Sequence, residues 1–338
     1  MSRAPRPALP LVAALLFPLL AEARDLAFVP AQVAGRVTVI ALDTMQPLAD
    51  LAVGGKPAGI AVAQQAGRAY VSSPEGRFVT VIDCATATIV GRIDGVGQGP
   101  LGIAVHPSGS PLYVADWHAQ RIHVVDPLRR TVIAAIPVGQ SPSGLAISAD
   151  GRTLLSADRD SHQVSIIDTA TLAVRATVAV GTRPFGVTLS ADGRRAYTAN
   201  VGSNDVSVID VADAQVIGTV PVGERPYAIA LTPNGRAFVS DQYAATVTVF
   251  DTASLERLAT IPVGEFPEGI NASIDGREVY VVNWDANSVQ RIDADTLTIT
   301  GSAATANGPR GFGAFVWRAP GARSEKRPIA ADAAASTP

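Results

Sequence analysis

Residues 181–222 read GTRPFGVTLSADGRRAYTANVGSNDVSVIDVADAQVIGTVPV. Four short runs in this stretch have strand character: 186–190, 196–199, 206–209 and 216–220. They are apolar and β-branched, and turn signals separate them: Asp192-Gly193, Gly202-Ser203-Asn204-Asp205 and the segment from Asp210 to Asp213. Short runs of this kind bounded by Gly, Asn, Asp and Ser specify antiparallel strands joined by tight turns. A single four-stranded unit cannot bury both faces of its sheet. Stacked copies can.

The chain supplies the copies. A Pro-x-Gly mark, or a close relative, begins at Pro57, Pro100, Pro142, Pro184, Pro226, Pro267 and Pro309, at spacings of 43, 42, 42, 42, 41 and 42 residues. A fixed period near 42 with four strands per period is the pattern of propeller blades, roughly 40–45 residues each. Six units are complete. The seventh has one strand at the C-terminal end, 311–317, and its missing second, third and fourth strands match 26–30, 36–42 and 48–53. The expectation is an all-β, seven-bladed propeller of four-stranded antiparallel blades, with the two ends of the chain sharing one blade. Such closure removes the open sheet edge.

The flanks differ in composition. Residues 1–23 have Arg3 and Arg6, an apolar run over 9–20 and Ala21-Glu22-Ala23, the arrangement of a cleaved secretory signal. The run is shorter than the roughly 20 residues of a membrane span, so export to a periplasm or beyond is expected, with a mature chain from about Arg24. Cys84 is the single cysteine, which excludes an intrachain disulfide, a Cys-x-x-Cys-His haem attachment and a multi-thiolate metal site. The net charge is −3 and lysine occurs only at Lys56 and Lys326, so a polybasic nucleic-acid surface is not expected. Residues 24–318 are read as the propeller. The Ala-, Pro- and Ser-rich segment 319–338 is read as a disordered tail.

Several second strands share a pattern, Leu112-Tyr113-Val114-Ala115-Asp116, Ala196-Tyr197-Thr198-Ala199-Asn200 and Val279-Tyr280-Val281-Val282-Asn283. Each follows a turn such as Ser190-Ala191-Asp192-Gly193. In these motifs the chain resembles the YVTN-repeat β-propellers, exported proteins of bacteria and archaea, over about residues 25–317. The resemblance implies the fold and export. It implies no catalytic residues, since most members of that family have none assigned, and it admits an accessory role beside periplasmic redox enzymes.

Recurring polar residues read as scaffold. Asp83, Asp126, Asp168, Asp210, Asp251 and Asp293 each end a third strand, where a carboxylate can accept N–H groups of the following turn. Asp116, Asp158, Asn200, Asp241 and Asn283 end second strands and are expected to do the same. Asp150-Gly151, Asp192-Gly193, Asn234-Gly235 and Asp275-Gly276 are hairpin turns that tolerate positive φ.

Function is expected where the copies differ. The residue inside Pro-x-Gly runs Ala58, Leu101, Ser143, Phe185, Tyr227, Glu268 and Arg310 around the mouth of the central channel, and Lys56, Arg183 and Arg225 precede their prolines. Loops after the second strands add Trp117, His118, Arg159, Asp160, Tyr243, Trp284 and Asp285 on the same face. Either these side chains wall a funnel for a small anionic or aromatic ligand or a partner protein, or they pack together and plug the channel. The binding residues expected are Arg183, Phe185, Arg225, Tyr227, Glu268, Arg310, Trp117 and Trp284. The principal expectation is an exported, non-catalytic binding propeller without a resident cofactor. The alternative is a periplasmic redox enzyme or accessory protein linked to a metal, haem or quinone, with His118, Asp160 and His162 as the metal set. Glycine-rich phosphate loops, Gly-x-Ser-x-Gly elbows and His-Glu-x-x-His are lacking.

Overall fold

The computed structural model describes residues 24–321; the expected signal segment, 1–23, and most of the expected tail, 322–338, lie outside the described residues. The stretch 181–222 becomes the strands Pro184–Leu189, Arg195–Asn200, Asp205–Asp210 and Gln215–Pro221, paired antiparallel in chain order. The other units repeat this, giving seven blades in a ring. Blade 1 holds residues 26–52 and 316–317. Blades 2 to 7 are 59–94, 100–137, 142–179, 184–221, 226–262 and 267–304.

Burial follows position within a blade. Second and third strands pack on neighbouring blades with both faces and are almost wholly buried, as in Ala196, Tyr197, Ala199, Val206 and Val208. The outermost strands face water, and their Ile89, Val132, Ile133, Val216 and Ile217 are exposed. A one-residue bulge interrupts the third-to-fourth pairing in every blade, for example between Val208 and Ile209. A residue shortly before the fourth strand is left-handed in each, as at Ala214 with φ 53° and Leu172 with φ 53°. A turn closed by a left-handed residue sets that bulge and strengthens the strand twist.

The glycine of Pro-x-Gly has a packing cause. Innermost strands of adjacent blades approach so closely that a Cβ on Gly59, Gly102, Gly144, Gly186 or Gly269 would collide with a carbonyl oxygen of the next blade: that of Leu101, Ser143, Phe185, Tyr227 or Gly311. Hydroxyls bind two of these crowded carbonyls; Ser72 donates to the Leu101 carbonyl at 2.5 Å and Ser143 to the Phe185 carbonyl at 2.9 Å.

The two families of repeated acids separate. The third-strand set behaves as expected: Asp210 accepts the Ala212 and Asp213 N–H groups, and Asp168 those of Ala170 and Thr171. The second-strand set does not cap its own turn alone. Asp158 and Asp241 are buried and accept the N–H of Gly139 and Gly223 on the chain arriving from the preceding blade. They also accept third-strand hydroxyls, Ser165 and Thr248, both at 2.6 Å. Burial raises both carboxyls despite these bonds. Asn200 and Asn283 instead donate, to Ser207 and Gln290. In blade 3 a histidine takes the hydroxyl's place: His123 Nε2 meets Asp116 at 3.1 Å.

Ring closure departs from the expected single strand at 311–317. Val316–Trp317 pairs antiparallel with Leu26–Ala31, completing blade 1. Phe312–Ala314 leaves that blade and runs parallel to Gly59–Ala63 of blade 2. Pro309 lies opposite Ala31 and Val316 opposite Ala27, so the closing segment carries three more residues than its partner. The left-handed Gly311 and Gly313 permit the excursion, and Asn271 of blade 7 holds it by bonds to the Phe315 N–H and the Gly313 carbonyl. Beyond it Arg318 grips Asp25 with two guanidinium nitrogens at 3.0 and 3.1 Å. Ala319, expected in the tail, is buried in the blade 1 core.

Candidate functional site

The connections into first strands and the loops after second strands share one face, where they enclose a cleft of about 400 Å³. Every blade contributes to it except blade 7. The floor is Phe185, Tyr227 and Leu101. The walls include Trp117, His118, Arg159, Arg225, Gln242 and Arg310, with Gln32 and Pro74 of blades 1 and 2 opposite.

Both expected arrangements are present, at different depths. Phe185 and Tyr227 are buried, their ring centroids 4.4 Å apart, and they fill the channel together with Phe312 at 4.9 and 5.5 Å. Phe312 is not among the expected site residues. It reaches the channel because the three-residue excursion turns it away from blade 1, and pairing of that kind leaves no trace in a repeat pattern. Above this plug Trp117 stands over Phe185 at 6.1 Å and carries the Arg159 guanidinium on its face at 5.5 Å. The cleft is thus the open half of a funnel whose throat is stoppered by aromatic rings.

Its electrostatics depend on which arginines are matched. Arg159 pairs with Asp160 at 2.6 Å. Arg310 approaches Glu268 at 3.3 Å, donates to the Tyr227 hydroxyl at 3.3 Å and lies over Trp284 at 4.7 Å. Arg225 has no ion pair among the described residues. Its guanidinium lies on Tyr243 at 4.3 Å, a ring braced in turn by Phe266 at 5.4 Å, and its Nε is buried without a hydrogen-bond partner among the described residues. A cation on an aromatic face keeps its charge available to a second partner.

Of the remaining expected residues, Trp284 contacts the site through Arg310 rather than lining the cleft. Glu268 lies beneath it, 1% exposed, where Gln242 donates to Oε1 at 2.7 Å. Burial pushes the Glu268 carboxyl up to about 7, against the opposing pull of Arg310, Gln242 and Tyr227. The folded state therefore binds a proton that the unfolded chain, with an ordinary glutamate, has already released above about pH 4.5. The sign is that Glu268 makes stability fall as pH rises from about 4.5 through about 7. Thermal melts across that window should show this slope reduced in Glu268→Gln, and an unchanged slope would refute the assignment.

The expected metal set does not converge. His118 lines the cleft, but the oxygens of Asp160 are taken by Arg159 and the Ser141 hydroxyl. His162 Nδ1 accepts the Arg183 N–H at 3.0 Å. That bond is scaffold: Asn204 and Asn287 accept the Arg225 and Gly308 N–H groups from the same slot in blades 5 and 7. Each lies six residues before its Asp168, Asp210 or Asp293, a spacing that a sequence alignment of the repeats exposes. Arg183, left-handed at φ 57° ahead of Pro184, is not among the residues that line the cleft. Among the described residues no cluster of three metal-binding side chains exists.

No protein-family model matches the chain, and no curated protein matches it. Solved structures do. Hydrazine synthase of Kuenenia stuttgartiensis superposes with a TM-score of 0.68 at 22% identity, over 75% of this chain and 87% of that one. A functionally unknown protein from Desulfotomaculum acetoxidans gives 0.72 at 16% identity, over 85% and 98%. At these identities the likeness concerns the propeller fold. No helix among the described residues is long and apolar enough to cross a membrane.

Proposed function

We propose that this chain is an exported propeller of the YVTN-repeat type that works by binding, without catalysis of its own, and that the funnel cleft receives a small anionic ligand or an acidic group of a partner protein. The leader-like composition of residues 1–23 supports export to the periplasm. The observation that carries the binding reading is Arg225: a guanidinium without an ion pair among the described residues, on the wall of a cleft floored by aromatic rings. Groups so placed are stabilised by a bound acceptor.

Arg225→Gln is the cleaner test, because Arg310→Ala would strand the buried Glu268 carboxylate. A thermal-shift screen of the mature chain finds ligands by their stabilisation of the folded state. Arg225→Gln should then weaken such a ligand roughly tenfold or more while the melting temperature of the free protein stays close to wild type. Equal affinity in both proteins would remove the cleft from consideration.

Two observations favour a second reading, a redox accessory protein with a cofactor at the same face: His118 is on the cleft wall, and one structural neighbour is a hydrazine synthase. Binding of a metal or haem to wild type but not to His118→Gln would support it over the first.

A further inference from the structure

We infer that the cleft selects a singly charged organic anion with a flat apolar body, an aromatic carboxylate in class, whose charge sits at Arg225 and whose ring lies against Phe185 and Trp117. This rests on the binding reading above and names its ligand chemistry.

The charge count sets the valence. Three guanidinium groups line the cleft, those of Arg159, Arg225 and Arg310. Two are matched by acids already present, Asp160 and Glu268. Asp285, the remaining acid near Glu268, is exposed and screened by solvent. With Glu268 ionised, one positive charge is left. A dianion would bring a second negative charge into a largely apolar site without a partner, which is costly. A neutral ring would leave the Arg225 guanidinium without a counter-charge.

The shape and lining set the body. Phe185, Trp117, Leu101 and Val201 supply apolar surface to the same cleft. A carboxylate matches the planar fork of a guanidinium, and an aromatic ring attached to it can stack on the flanking rings. The cleft, about 400 Å³, is at the small end of ligand sites and suits a one- or two-ring molecule rather than a polymer.

The test is titration calorimetry of the full mature chain with naphthoate, its neutral amide, a naphthalene dicarboxylate and inorganic phosphate, in buffer alkaline enough to ionise Glu268. Naphthoate should bind at least roughly tenfold more tightly than each of the other three, and Arg225→Gln should lose about that factor. Glu268→Gln should bind naphthoate more tightly than wild type, because Arg310 is then unmatched; if that variant does not fold, the ligand series and Arg225→Gln decide. Arg225-dependent binding of phosphate or the dicarboxylate in preference to naphthoate would overturn the monoanion assignment and leave the cleft reading standing. No Arg225-dependent binding by any of the four would overturn both the assignment and the small-ligand form of that reading.

Discussion

Replacing Gly102 by valine is expected to prevent the ring from closing. The Cβ alone would collide with the backbone carbonyl of Ser143 in the next blade, and Gly144 lies just behind it. A flexible side chain can move aside; a carbonyl in the innermost strand cannot, because the blade as a whole is fixed by its two neighbours. Overpacking in a well-filled core costs roughly 1–3 kcal/mol where side chains can adjust. Here the backbone itself obstructs, so the cost should be about 3 kcal/mol or more, a large part of the roughly 5–15 kcal/mol that holds a domain folded. Gly95→Ala is the control. Gly95 has φ 70° and open space around its Cβ position, so only the left-handed backbone is penalised, by about 1 kcal/mol. Denaturant midpoints for both variants test the comparison. A Gly102→Val protein as stable as Gly95→Ala would show that innermost strands can separate, and that the repeated glycine has another cause.

A chain ending at Gly311 should fail to fold at all. The deletion removes Phe312, Phe315, Val316 and Trp317, exposed by 4%, 0%, 4% and 3%. At roughly 1.5–3 kcal/mol for each fully buried side chain, the loss is on the order of 6–12 kcal/mol, comparable to the whole stability of a domain. Leu26–Ala31 would also become an open edge, exposing N–H and C=O groups to association with other chains. A chain ending at Gly321 keeps these residues and the Arg318–Asp25 pair and should melt as the full protein does. Circular dichroism and size-exclusion profiles of the two truncations separate the cases. Cooperative melting of the shorter one would mean that six and a fraction blades close without the last strand.

Much of the candidate site is legible in the sequence because repeats make variation visible. Trp117, Phe185, Arg225 and Arg310 stand out as large or charged residues in slots filled elsewhere by small ones, and they do meet at one cleft. Other variable residues do not line that cleft. His162 looks variable as a histidine, yet its Nδ1 makes the bond that the Asn204 and Asn287 side chains make in other blades. Chemistry at the level of one acceptor atom is shared by residue types that look different. Glu268 and Arg183 belong to this face, but variation between repeats carries no depth: one is sealed beneath Gln242 and Tyr227, the other contributes a backbone N–H.

The sequence alone determined the blade count, the strand order within each blade and the face on which the variable residues gather. Those follow from local rules: alternation, turn chemistry and a period that repeats along the chain. Tertiary structure alone decided how the ring is sealed and what occupies its centre. The excursion at Phe312–Ala314 depends on pairing with Gly59–Ala63, some 250 residues away, and it is this pairing that puts Phe312 beside Phe185 and Tyr227. It also decided which arginine is free. Arg159, Arg225 and Arg310 are equivalent as letters; only the distances to Asp160 and Glu268 leave Arg225 with its charge unmatched.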